Sequence, residues 1–235
     1  MDILFDQTGL HFLLRWVHFM AGITWIGMLY YFNFVQTPFF KSAEGPVKGA
    51  MTQHVVPVAL WWFRWGAMFT FLSGLGLIEL SRHMGNDFSS AYMTLILTGG
   101  LMGTLMWFNV WFIIWPAQKL VIASAQQTAG GGEAIPEAAA RGAKAGMASR
   151  TNTLLSIPML FFMGAASHLS GLAGDGSGSL QTYWIVTVVV ILLIEANGLI
   201  GPGKPTQKAL TSVSGTITAG FVVTAILFLI ATKLL

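Results

Sequence analysis

The histidine His18 and the arginine Arg15 occur inside the first long apolar segment of the chain, where ionisable side chains are rare and usually mark a functional site. His18 follows Arg15 by three residues and precedes Trp25 by seven. At helical spacing, one face carries His11, Arg15, His18, Gly22, Trp25, Leu29 and Phe32. This face combines a nitrogen ligand, a cation, a gap without a side chain and a flat ring. These are the groups that a helix needs to hold a heme.

The elements that position these residues are membrane spans. Hydrophobic residues make up 54% of the chain and charged residues 9%. Six stretches are long enough to cross a bilayer, which takes about 20 residues: roughly 10–36, 55–80, 90–116, 152–173, 180–200 and 209–232. Because backbone groups in lipid must bond within their own segment, the spans are helices. The sequence predicts an all-α integral membrane bundle of about six transmembrane helices, with residues 1–235 forming one domain.

The distribution of Lys and Arg predicts the orientation of this bundle. Most basic residues fall in the first, third and fifth loops, whereas Arg82 and Lys233 are on the opposite side. Cytoplasmic loops are enriched in basic residues, so the odd loops, including 119–150, should be cytoplasmic and both termini outside. The net charge of +3 follows from this bias. We therefore expect lipid as the surrounding partner, no nucleic acid, and the bacterial inner membrane as the location.

A second histidine, His168, is the partner that we expect for His18. At about 1.5 Å per residue, His18 lies about 12 Å below the outer surface and His168 about 8 Å. The two imidazoles can therefore ligate one iron from opposite faces of a macrocycle. Gly22 and Gly164 each lie one turn from these histidines, where a porphyrin edge would meet the backbone. Hydrogen bonding of the histidines within the bundle and a proton relay are the alternatives.

The type of heme follows from the absence of cysteine. Without cysteine there is no thiolate metal site and no covalent c-type heme, which needs a C-x-x-C-H motif. A heme here would be heme b, with His18 and His168 on the iron, Arg15 neutralising the propionates and Trp25 packing on the ring. Two histidine ligands fill both axial positions and favour electron transfer.

Other polar residues occur in the cytoplasmic half. His54 and Arg64 are a second candidate site, for an anionic substrate, a quinone or a second heme; an arginine stacked on tryptophan is the alternative. Asn109 is expected to join two helices by a hydrogen bond. The segment Ala148–Thr153 is expected to cap the start of the fourth span or to bind an anion there. Glu195 is expected to snorkel to the interface, and proton conduction is the alternative.

Several of these segments resemble a known family. The strings Leu14–Gly27, Trp62–Trp65 with Leu72–Gly74, Asn109–Trp111 and Ala148–Thr153 resemble the N-terminal membrane domain of the cytochrome-type, membrane-bound urate oxidases, through about residue 170. The pattern of a histidine, six residues and then Trp-x-Gly, here from His18 to Gly27, is also similar to one in the heme-binding membrane family of the oxygen-independent protoporphyrinogen oxidases. Both resemblances imply a helical bundle that uses the first-span histidine, here His18, around a heme.

The chain departs from the urate oxidases in one respect, because their C-terminal c-type cytochrome domain has no counterpart before Leu235. We therefore expect a b-heme membrane protein that relays electrons near the outer surface, from urate or a similar small reductant to a separate cytochrome, a quinone or a larger respiratory complex. The alternatives are a cofactor-free accessory subunit of a respiratory or photosynthetic complex, and a small anion transporter that uses Arg64.

Overall fold

The computed structural model describes residues 4–173 and 178–235, and the regular structure of these residues is helical. The prediction of an all-α helical bundle is confirmed. Within the described residues six long helices follow one another, with short 3-10 turns at Ser170–Ala173 and Pro205–Thr211. The helices are α1 Gln7–Ser42, α2 Gly45–His83, α3 Ala91–Ala129, α4 Ala138–His168, α5 Leu180–Leu199 and α6 Val213–Leu234.

Local residue chemistry explains where these helices begin and end. The Asp6 carboxylate accepts a hydrogen bond from the Gly9 backbone N–H at 2.6 Å and so caps the start of α1. Ser90, Ser179 and Ser212 cap α3, α5 and α6 in the same way. The helix α2 stops just before Gly85, whose φ of 96° is disfavoured for residues with a side chain.

Five of the helices (α1, α2, α3, α5 and α6) are long enough and apolar enough to cross a membrane. The helix α4 has 31 residues but a more polar composition, since Ser149–Thr153 lies in its middle. It packs against α1, α3, α5 and α6, and it is therefore the central helix of the bundle. A central helix faces protein on most sides, so its polar side chains can be satisfied by neighbouring helices.

Both α1 and α3 contain a π-helical turn, at Tyr31–Gln36 and Asn109–Ile114. Each turn carries a buried asparagine that reaches α4. Asn33 donates to Ser149 Oγ at 2.8 Å, and Asn109 Nδ2 donates to Asn152 Oδ1 at 2.8 Å. The prediction that Asn109 joins two helices is confirmed. The hydrogen bonds fix the position of α4 relative to both neighbours.

The segment before the fourth span differs from the prediction. The helix α3 continues to Ala129 and α4 begins at Ala138, so most of the predicted loop 119–150 is helical. The segment Ala148–Thr153 lies in the middle of α4, and the prediction that it caps a helix or binds an anion at a helix end is wrong. Its hydroxyl and amide groups suited a cap locally, but they bond to neighbouring helices and to their own backbone instead.

Glu195 also lies in a different environment from the one expected. It belongs to the face of α5 that carries Tyr183, Thr187 and Ile191, all buried against the bundle. Only 6% of Glu195 is exposed, so the prediction of an acid snorkelling to the interface is wrong.

Candidate functional site

One end of the bundle contains a cavity of about 740 Å³ that is partly open to the surface. A volume in this range, about 300–1,000 Å³, is typical of cofactor and ligand sites. The cavity lies between the first half of α1, the last part of α2, the first part of α3 and the last part of α4. All six residues predicted to contact a heme line it: His18, His168, Arg15, Trp25, Gly22 and Gly164. Their role as heme contacts stays a prediction.

The register of α1 against α4 puts the two histidines at the same height. The Tyr30 hydroxyl lies 2.9 Å from Ser156 Oγ, and the Ser156 hydroxyl donates to the Thr153 carbonyl. The two helices are antiparallel, and His18 and His168 are each twelve residues from this contact toward the cavity. Twelve residues of helix span about 18 Å, so the two imidazoles start from backbone positions at similar height.

The orientation of the His18 ring follows from Ser73 on α2. The His18 Nδ1 atom lies 3.2 Å from Ser73 Oγ, and the Ser73 hydroxyl donates to the Phe69 carbonyl at 2.6 Å. Because that hydroxyl hydrogen is already used, Ser73 Oγ accepts the hydrogen bond and His18 Nδ1 donates it. The proton is then on Nδ1 and the lone pair is on Nε2, which is the arrangement that an imidazole ligand needs.

His168 is the last residue of α4 and is exposed, whereas the sequence predicted a helix that continues to residue 173. The prediction of this helix end is wrong, because Leu169 leaves the helical conformation (φ −126°, ψ 61°) before the Ser170–Ala173 turn. His168 therefore borders the cavity from a helix end, where its ring has more freedom than that of His18.

Glycines from four helices give the cavity its width. Gly22, Gly74, Gly100, Gly103 and Gly164 all line it. A Cβ atom added at Gly100 or Gly164 would meet no heavy atom within 4 Å, and one at Gly22 would reach only Thr70 at 3.9 Å. The backbone can thus approach a flat ligand closely at these positions, and larger residues would occupy the space that the ligand needs.

The polar groups around the cavity are basic or are hydrogen-bond donors. His11, Arg15, His18 and His168 line it, and no acidic residue is among the described residues that do. The Arg15 guanidinium makes no ion pair with any residue of the described ranges. Trp25 is 2% exposed and its Nε1–H has no partner in the described residues. An anionic ligand with acceptor groups would satisfy these donors.

The second candidate site is not assembled. His54 is exposed and lies ten residues from Arg64 on the same helix, a rise of about 15 Å. The Arg64 guanidinium carbon is 4.0 Å from the centre of the Trp115 ring and 5.2 Å from that of Trp111. The stacking alternative for Arg64 is therefore the one observed.

Sequence reasoning missed several residues of the cavity. His11 was on the predicted face but was not assigned a role; its Nε2 atom lies 3.2 Å from Ser81 Oγ. Met159 and Met163 contribute thioether groups to the lining. The spacing of Gly100 and Gly103, one turn apart on one face of α3, could have indicated a helix face that leaves room for a ligand. Ser73 had no such signal, because its role depends on how α2 packs against α1.

Comparison with known proteins gives one match to a family. The family model described as urate oxidase N-terminal matches residues 83–228. The matched part includes Gly164 and His168, and the segment that carries Arg15, His18, Gly22 and Trp25 precedes it. No curated protein and no solved structure matches the chain. Since the family model covers more than half of its residues, this chain belongs to the urate oxidase N-terminal family.

Proposed function

We propose that this protein is a membrane oxidoreductase of the cytochrome-type urate oxidase group that binds heme b and relays electrons near the outer face of the bacterial inner membrane. The observation that carries the proposal is that His18, His168, Arg15 and Trp25 line the same cavity. The electron donor is urate or a similar small reductant. The acceptor is a cytochrome or a quinone.

The residues present fit a heme on three grounds. His18 carries its lone pair on Nε2, as derived from its contact with Ser73. Gly100 and Gly164 leave open space where a flat macrocycle would press against the backbone. The Trp25 indole N–H and the Arg15 guanidinium are donors without partners in the described part of the chain.

Each residue has a defined task in this proposal. When bound, heme b would supply one-electron oxidation and reduction at its iron. His18 and His168 are the residues that would hold the iron through ring nitrogens, and Ser73 holds the His18 ring in one tautomer. Arg15 would bind the carboxylate groups of the heme, and the apolar lining would limit the access of water to its ring.

The anion-transporter alternative depended on Arg64. Its guanidinium lies over Trp111 and Trp115, so a structural role accounts for its position. The alternative of a cofactor-free subunit makes a different prediction for the purified protein, because it would give no heme spectrum.

The test is the reduced-minus-oxidised absorbance spectrum of the protein, purified from cells that were supplied with hemin during expression. We expect Soret and α bands of a six-coordinate b-type heme, and we expect His18→Ala and His168→Ala each to abolish or convert them. His83→Ala is the matched control, since His83 lies outside the cavity and pairs with Glu79. The absence of heme bands, or an unchanged spectrum in His18→Ala, would refute the proposal.

The choice of electron donor needs a second measurement. Urate added to the oxidised, heme-loaded protein should reduce the heme, and Arg15→Ala should slow that reduction or lower the occupancy of heme. If heme binds normally but urate does not reduce it, the electron donor is a different compound and the urate part of the proposal is refuted.

A further inference from the structure

A second buried polar centre lies in the other half of the bundle, where α3, α4 and α5 meet. It consists of Asn109 in the π-helical turn of α3, Asn152 on α4 and Glu195 on α5. Asn109 and Asn152 are fully buried and Glu195 is 6% exposed. Asn152 precedes the cavity residue Met159 by seven residues, about 10 Å along α4. The centre is therefore separate from the cavity.

The direction of the two amides is fixed by a backbone carbonyl. Asn152 Nδ2 lies 2.9 Å from the Met106 carbonyl, which can only accept a hydrogen bond. Asn152 Oδ1 is therefore the atom that accepts from Asn109 Nδ2 at 2.8 Å. The other oxygen of these two amides, Asn109 Oδ1, is buried and accepts no hydrogen bond from the described residues.

Glu195 lies beside the Asn109 side chain, and neither of its carboxyl oxygens has a partner of good hydrogen-bond geometry among the described residues. An ionised carboxylate could not help Asn109 Oδ1, because both groups would only accept. A carboxylic acid carries an O–H, and donating it to Asn109 Oδ1 would satisfy both groups at once. Asn109 Nδ2 has a second hydrogen that can bond to one Glu195 oxygen, whereas Asn109 Oδ1 needs a donor that only the protonated acid supplies.

Among the described residues, no basic side chain offsets a negative charge on Glu195 through an ion pair. Basic residues on the elements packed against α5 include Arg150 and His168 on α4, Lys208 on the Pro205–Thr211 turn and Lys233 on α6. None forms an ion pair with Glu195 within the described ranges. An isolated carboxylate buried among apolar groups costs several kcal/mol, and the group avoids this cost by binding a proton.

Close packing of α4 and α5 leaves little room for a hydrated ion. Gly198 is one turn from Glu195, and a Cβ atom at Gly198 would clash with the Thr151 side chain of α4. A sodium ion needs several oxygen ligands around it, whereas the unpartnered oxygens here are those of Glu195 and Asn109. We propose that Glu195 and Asn109 form a buried proton-binding site, in which the Glu195 carboxyl takes up one proton and donates it to Asn109 Oδ1.

The test is infrared spectroscopy of the full-length protein in membranes at neutral pH. We expect a carbonyl band of a protonated carboxyl group above the amide I region that shifts down in D2O. Glu195→Gln should remove this band, and Asn109→Ala should keep it but move it to higher wavenumber, because the O–H loses its acceptor. Glu79→Gln is the matched control and should leave the band unchanged, since Glu79 is exposed and paired with Arg82.

Two outcomes would overturn the proposal. Identical spectra for the wild type and Glu195→Gln would mean that Glu195 carries no proton. Loss of the band when sodium chloride replaces choline chloride at constant pH would mean that the site binds a metal cation. If Glu195→Gln does not fold, the shift expected in Asn109→Ala decides the question, and an unmoved band would contradict the shared proton.

Discussion

The hydrogen bond between His18 and Ser73 provides the sharpest test of how the cavity would hold a heme. Ser73→Ala removes the acceptor of the His18 Nδ1–H and changes neither the ring nor the cavity lining. Without this acceptor the ring is less firmly oriented and its Nε2 is a weaker ligand. We therefore expect Ser73→Ala to lower the affinity for heme.

The structure sets the size of the effect. Partners of this kind typically change metal affinity about 10–100-fold, or about 1.4–2.7 kcal/mol. The distance of 3.2 Å from His18 Nδ1 to Ser73 Oγ is at the long end of the ordinary range. The Thr70 backbone also lies beside the His18 ring and can take over part of the bond. We expect a loss of about tenfold, at the lower end of the range.

The assay is titration of hemin into the heme-free protein, followed by absorbance. Ser81→Ala is the matched control, because Ser81 Oγ also lies 3.2 Å from a ring nitrogen of a cavity-lining histidine, His11. That histidine is not a ligand in the proposal, so the control should bind heme as the wild type does. Equal affinities of Ser73→Ala and the wild type, or a larger loss in Ser81→Ala, would refute the reasoning.

Three further substitutions test other parts of the bundle. Gly164→Leu should fill open space in the cavity and weaken heme binding at least tenfold. Gly146→Leu is the control on the same helix, since a Cβ atom there also meets no heavy atom within 4 Å, and it should not weaken heme binding. Equal binding of heme by both variants would contradict this prediction. Arg64→Lys should lower the free energy of unfolding by about 0.5–2 kcal/mol through lost stacking, while His54→Ala should not, as followed by tryptophan fluorescence. Asn152→Leu breaks two buried hydrogen bonds and should lower the free energy of unfolding in detergent by about 1–3 kcal/mol. An unchanged unfolding midpoint would argue against a stabilising role of the hydrogen bonds from Asn152 to Asn109 and Met106.

The part of the cavity on α1 was predictable because it depends on one helix alone. Residues at helical spacing share a face whatever the rest of the chain does, and His11, Arg15, His18, Gly22 and Trp25 do line one cavity. The residues contributed by α2 and α3 were not predictable in this way. Ser73 contacts His18 only because of how two helices pack, and no periodicity within either helix specifies that contact.

The errors occurred where burial overrode local residue preference. Ser149 and Asn152 are residue types that favour helix starts, but in the middle of α4 they accept hydrogen bonds from Asn33 and Asn109 on two other helices. An acid near the end of an apolar segment commonly reaches for water, but the position of Glu195 on the inward face of α5 prevents this. In both cases the deciding factor is which neighbour covers the residue, and that is a property of the whole bundle.

The similar height of His18 and His168 illustrates the same point. From the sequence, their heights were counted from expected helix ends, and the end expected for α4 was five residues too late. In the structure, the relative height of the two histidines follows from the contact between Tyr30 and Ser156 in the interior of the bundle. Each histidine is twelve residues from this contact. Because an α-helix has a constant rise, this contact relates the heights of residues on the α-helical stretches from Tyr30 to His18 and from Ser156 to His168, to within the reach of the Tyr30 side chain. The relative height of the two histidines therefore depends on a contact that lies about 18 Å from them along both helices.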